Sequence, residues 1–353
     1  MAWRFEQLVG GTGFEPVTLA MSTRCSTAEL TAPDIGFRTD EPRHARRVTD
    51  GSGARSMWGM DVPIAASLPV TDLPPFIIER PGEQTAPLVF ASPHSGRNYL
   101  PEFQRAARLD PAGLRRSEDS FVDELFGCAP ACGAPLIAAT FPRAYCDPNR
   151  EAWELDPTMF TDPLPAWVNT TSPRVGAGLG TIARVVASGE AIYRNKLRFS
   201  EATARVHGLW DPYHLALLGL IEATRQRFGV CLLIDCHSMP GAGSRRGTGP
   251  DFVLGDAHGT TCSPRVTRRV EAVLTSLGYQ VRRNDPYAGG YVTRHYGRPH
   301  EQVHALQIEV ARGLYMNEGR LERGPAFDAV RDHLGQLMAD LASGAEALLS
   351  DPA

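Results

Sequence analysis

From Leu73 onward, short apolar runs alternate with segments of helical period, and that alternation restricts the chain to an α/β fold. The runs Leu88–Ala91, Pro135–Phe141, Val230–Ile234, Phe252–Leu254, Tyr279–Arg282 and Ala305–Val310 read as strands. Helices are expected over Ile182–His207, Tyr213–Phe228 and Pro325–Leu349. Trp210-Asp211-Pro212 should break the first two, because proline lacks the amide donor of a helix interior. No repeat or linker interrupts residues 65–350, so a single α/β domain is expected there, with a mixed central sheet flanked by helices. Residues 1–60 follow neither period. Gly10-Gly11-Thr12-Gly13, scattered Ser and Thr, and the basic stretch Arg43–Arg47 make them an expected disordered extension, with Met57 or Met60 as an alternative start.

The bulk properties narrow the partners. A net charge of -4 with interspersed signs offers no broad basic surface, which argues against nucleic acid or an anionic membrane and favours a small molecule. No apolar stretch approaches the roughly 20 residues that span a bilayer, and the amino terminus lacks a signal peptide's apolar region, so a cytoplasmic protein is expected. Seven scattered cysteines, an odd number, suit reduced thiols rather than a disulfide framework. Oligomeric state is not legible.

Two of the strand-like runs lead into a histidine: Ser92-Pro93-His94-Ser95-Gly96 and Asp235-Cys236-His237-Ser238. Loops leaving the carboxyl ends of strands converge on the ligand crevice of an α/β sheet, so His94 and His237 are candidates for one metal site. A catalytic zinc typically takes three protein ligands and leaves a position open. The third ligand should be a carboxylate. Asp119 is the better candidate and Glu118 the reserve, opening a segment in which Phe121, Val122, Leu125 and Phe126 recur at helical spacing with Ser117 as its N-cap. The competing reading is that these acids only complement a helix dipole.

Asp147-Pro148-Asn149-Arg150 follows the second run, Pro135–Phe141, and points to an acidic substrate, since guanidinium grips a carboxylate bidentately; the alternative is an ion pair of Arg150 with Asp147 or Glu151. Glu309, flanked by Ile308 and Val310, is expected to be semi-buried with a raised pKa, as a general base requires, or else paired with Arg312. Arg294 and Tyr296, in Gly289–Gly297, are candidates to hold substrate, and Arg143 or Arg294 to share developing negative charge. Asp235, two residues before His237, can face the same way and orient it. Gly176–Gly180 reads as a flexible loop, a candidate lid.

Together these segments, with Arg143 and Asp251-Phe252-Val253-Leu254-Gly255, resemble the ordered motifs of the N-formylglutamate amidohydrolase family over about residues 85–320. The resemblance implies a zinc-carboxypeptidase-like (phosphorylase/hydrolase-like) α/β fold and an amidase with one zinc ion, releasing formate from N-formyl-L-glutamate in histidine degradation. It also implies His94, Asp119 and His237 as ligands, Glu309 as the base, and Asn149 and Arg150 on the substrate carboxylate. The wider carboxypeptidase-like pattern puts its ligand acid three residues after the first histidine, where this chain has Arg97, so Asp119 rests on the narrower family. Pro148 stands where leucine is common. A metallohydrolase acting on another N-acyl amino acid or short peptide, and a non-catalytic binder of acidic metabolites, are the alternatives.

Overall fold

The computed structural model describes residues 73–241 and 249–349; the extension expected over residues 1–60 lies outside them. Seven of the described strands form one mixed sheet: β1 (Phe76–Glu79), β2 (Leu88–Ser92), β3 (Leu136–Ala139), β4 (Cys231–Met239), β5 (Phe252–Gly255), β6 (Val281–Arg283) and β7 (Val303–Ala311), ordered β1-β3-β2-β4-β7-β5-β6. The central strands β3, β2, β4 and β7 run parallel. β1 and β5 are antiparallel to their neighbours β3 and β7.

Every residue of β4 and β7 is buried, so both faces of the sheet need cover. Leu232, Ile234 and Cys236 of β4 and Leu306, Ile308 and Val310 of β7 belong to a core shared with the helices Pro264–Ser276 and Phe327–Leu349. Cys231 and Leu233, with Val303 and Ala305, belong to the opposite core, with Leu217 and Ile221 of the helix Asp211–Phe228. Along this second face the alternation continues but the chemistry changes: after Leu233 come Asp235 and His237, and after Ala305 come Gln307 and Glu309. The register pairs Asp235 with Gln307 and His237 with Glu309, so four polar side chains meet at the carboxyl ends of two parallel strands.

Three local expectations are corrected. The strand read as Val230–Ile234 runs on to Met239, because pairing with β7 continues through the polar residues, and His237 therefore lies within a strand. Of Ile182–His207 only the end is helical, Phe199–Arg205 and the turn after it; Gly189 at φ +82° closes a tight turn that bridges Val185 to Ala191. No break follows at Trp210-Asp211-Pro212. The helix passes through a π turn, Val206–Trp210, in which the Asp211 amide donates to the Val206 carbonyl; a wide turn accommodates Pro212, which has no amide to give.

Candidate metal centre

His94 follows β2 in a tight turn whose carbonyl accepts from the Asp119 amide (3.0 Å), and this backbone bond brings the two side chains together. Asp119 lies in an irregular turn; the helix begins later, at Val122–Leu125, and Ser117 caps nothing there but accepts from the Ala187 amide (2.9 Å). Asp119 Oδ2 is 3.3 Å from His94 Nδ1 and 3.1 Å from His237 Nδ1. One ligand atom from each of His94, Asp119 and His237 lies within 4.8 Å of the others, and all three residues are buried.

Both imidazoles are held from behind. His94 Nε2 is 2.7 Å from Asp147 Oδ1, and His237 Nε2 is 2.8 Å from Asp235 Oδ1. The Asp147 and Asp235 carboxylates can only accept, so they draw a proton to Nε2 and leave Nδ1, on the side of Asp119, as the nitrogen of each ring that would coordinate a cation. His94 Nδ1 is fully buried and makes no hydrogen bond. Two imidazole lone pairs and a carboxylate, converging with a buried nitrogen unsatisfied, fit a divalent metal ion. Charge agrees. Burial opposes protonation of His237, but Asp235, Asp119 and Glu309 outweigh it and raise its pKa well above the usual range, so the pocket favours positive charge. Thr293 Oγ1 donates to Asp235 Oδ2 (3.0 Å) and Arg143 to Asp147 Oδ2 (2.7 Å), fixing the supporting carboxylates in turn. Replacing Asp235 by asparagine should weaken binding of a divalent metal ion by about 10-fold or more, measured by competition with a chromophoric chelator; unchanged affinity would contradict the role drawn here for Asp235.

Glu309 stands beside His237 on the neighbouring strand. Burial pushes its pKa from 4.5 to about 7; His237 opposes the shift, while Asp119 and Asp235 add to it. The side-chain amide of Gln307 donates to Glu309 Oε1 (2.8 Å), and its carbonyl accepts from the Gly290 amide (2.7 Å). The expected alternative partner of Glu309, Arg312, is engaged elsewhere: it donates to Asp119 Oδ1 (2.9 Å) and Ser238 Oγ (3.0 Å). Burial disfavours the Asp119 carboxylate, yet the adjacent His237 and His94 and the charge of Arg312 hold its pKa well below the usual range.

The remaining candidates are placed as follows. Glu118 is not at the centre; Arg115, Ser120 and Tyr99 occupy its oxygens. Arg97 pairs outward with Asp123 and Glu124. Asn149 fixes its side chain by accepting from the Val292 amide (2.8 Å), which sets its Nδ2 3.0 Å from His237 Nε2. Arg150 is buried and donates to the carbonyls of Leu179 and Asn149; among the described residues no carboxylate lies within ion-pair distance, and burial lowers its pKa to about 10. The alternative ion pair with Asp147 or Glu151 does not form. The Gly176–Gly180 stretch is tied down by that Leu179 bond and by the bond from the Asp147 amide to the Thr181 carbonyl (2.8 Å). Arg294 is exposed, and Tyr296 pairs with His214 Nδ1 (2.8 Å); neither is hydrogen-bonded or ion-paired to the cluster. Sequence reasoning missed Gln307, Ser238 and Arg312 as supports of the site. Only their adjacency to Glu309, His237 and the end of β7 marks them.

A mixed α/β sheet that gathers a buried His-Asp-His group beside a carboxyl poised near neutrality has the layout of a metal-assisted hydrolase. The particular family follows from comparison with known proteins. The chain belongs to the N-formylglutamate amidohydrolase family, hydrolases of an amide bond, whose model matches residues 86–316. It is 30% identical over 237 residues to an N-formylglutamate deformylase of Pseudomonas putida, covering 66% of this chain and 82% of that protein. The crystal structure of an N-formylglutamate amidohydrolase from Ralstonia eutropha JMP134 matches at a TM-score of 0.72 with 39% identity, over 77% of this chain and 98% of that one. A gene product of Agrobacterium tumefaciens, 19% identical over 77% of this chain and 95% of its own, shares the fold at a TM-score of 0.55. No described helix is long and apolar enough to cross a membrane, and the six described cysteines are free.

Proposed function

We propose that the chain is a zinc-dependent amidohydrolase that cleaves N-formyl-L-glutamate to L-glutamate and formate. The observation that carries this reading is the buried His94, Asp119 and His237 group with Glu309 beside it on the adjacent strand. Two nitrogen donors and one oxygen suit zinc and leave coordination positions open. When bound, the ion supplies the Lewis acidity that makes water nucleophilic near neutral pH and polarises the formyl oxygen. Glu309, as carboxylate, takes the proton of the attacking water and returns it to the departing amine. Arg143 commits Nε and Nη2 to Asp147, which leaves Nη1 to share the negative charge on the acyl oxygen. Arg150, a buried cation with no carboxylate partner among the described residues, holds the substrate carboxylate, and Asn149 positions that loop against His237. The relatives named as N-formylglutamate deformylases support this substrate. A place in histidine degradation and a cytoplasmic location belong to the same proposal.

Formate release from N-formyl-L-glutamate by purified protein tests it, with N-acetyl-L-glutamate and N-formyl-L-aspartate alongside. Turnover should disappear on chelation, return with zinc and favour the formylglutamate. Protein that holds zinc but releases no formate would reject this substrate.

A further inference from the structure

Tyr287 lies between β6 and the helix Tyr291–Tyr296, on a segment pinned to the polar end of the sheet. The Asn284 amide donates to the Leu254 carbonyl (2.8 Å), and the Ala257 amide to the Ala288 carbonyl (2.7 Å). Gly255, which pairs with Gln307 in the sheet, allows the close approach: a Cβ there would stand 3.0 Å from the Tyr287 carbonyl and 2.8 Å from the Gly289 amide nitrogen. Three residues on, the Gly290 amide donates to Gln307, the residue that holds Glu309. Both flanks of Tyr287 are thus fastened beside the base, while the residue remains 37% exposed.

The charged groups acting on its hydroxyl are Glu309, Arg312, Asp119 and Arg143, all of them members or supports of the metal centre. Burial and the charge of Glu309 raise its pKa, so the phenol keeps its proton over the working range of a hydrolase. Among the described residues the hydroxyl has no hydrogen-bond partner. On a segment fastened beside Glu309, this phenol is therefore an unspent donor, whereas Arg143 is already half committed to Asp147.

We propose that Tyr287 contacts the substrate, its O–H donating a hydrogen bond to the acyl oxygen of the bound amide as that oxygen takes on negative charge. This inference rests on the amidohydrolase reading above. Tyr287→Phe removes only the hydroxyl from a half-exposed ring. With N-formyl-L-glutamate, kcat should fall by about 10²-fold, the usual effect of losing one oxyanion donor. KM should stay within about twofold, and zinc content should not change. A tetrahedral phosphonate analogue should weaken by a similar factor while affinity for the product L-glutamate holds, which a merely structural role would not produce. Undiminished kcat, a loss confined to KM, or a loss that tracks lost zinc overturns the inference while leaving the parent reading intact. A zinc-loaded wild-type protein inert towards N-acyl acidic amino acids overturns both.

Discussion

Replacing Glu309 by glutamine is expected to lower kcat by about 10³-fold with zinc still bound. The substitution keeps the shape of a buried side chain and removes only its capacity to take a proton. None of the bonds that assemble His94, Asp119 and His237 passes through Glu309, so metal content should be unaffected. The pH dependence carries a second, independent signature. Burial raises this carboxyl to about 7 in the metal-free protein. A base works only when ionised, so kcat/KM should decline on the acid side; a bound cation favours the carboxylate and moves that limb below 7. The stability of the metal-free protein has the opposite sign. A group whose folded pKa is raised contributes stability that is fully present below 4.5 and is lost as pH rises through about 7. Denaturant titrations of the metal-free protein at pH 5 and pH 8 should show this contribution in the wild type and its absence in Glu309→Gln. Full turnover by the zinc-loaded variant would remove Glu309 from the role of base.

How much of this was legible in the sequence divides along physical lines. The apolar runs located the strands because a parallel sheet covered on both faces demands continuous burial, and β2, β5 and β7 lie within about two residues of the reading. β1 was missed: as a short antiparallel edge strand with a half-exposed pattern it carries a weak signal. The end of β4 was misjudged because Asp235 and His237 interrupt hydrophobicity without interrupting pairing, a property that belongs to its neighbour β7. Residues 177–198 were unreadable for a related reason. They are held by isolated bridges and long-range backbone bonds, such as that of the Arg194 amide to the Ala106 carbonyl (3.0 Å), rather than by any periodic pattern.

The same division runs through the site. His94, His237 and Glu309 stand out in the sequence because they follow or interrupt strand-like runs, and Asp119 because it opens a segment of helical period. Their supports do not, since Gln307 acts across to the Gly290 amide, and Arg312 reaches Asp119, which is 193 positions away in sequence. Arg294 and Tyr296 show the converse error of locality: both share a short helix near Gly289-Gly290, but the helix aims one at solvent and the other at His214.

Substitution of Asp119 by alanine should have the largest combined effect, on metal and on fold together. Its Oδ2 faces both imidazoles, while its Oδ1 accepts from Ser238 and Arg312, and the residue is 1% exposed. Zinc binding should be lost outright, because Glu118 next to it is held by Arg115, Ser120 and Tyr99 and cannot turn inward without abandoning them. Independently of metal, the variant leaves the Arg312 guanidinium, itself only 8% exposed, without its carboxylate. An unpaired buried charge of this kind costs about 3–5 kcal/mol. The two consequences separate in a double variant. Asp119→Ala with Arg312→Met removes the orphaned charge and should recover much of the stability in chelator, yet it should bind no more zinc than Asp119→Ala alone. Calorimetric unfolding of the chelated proteins together with metal analysis of the zinc-treated ones decides the matter: stoichiometric zinc in either variant would exclude Asp119 as a ligand, and equal instability of the two would show that Arg312 does not depend on it.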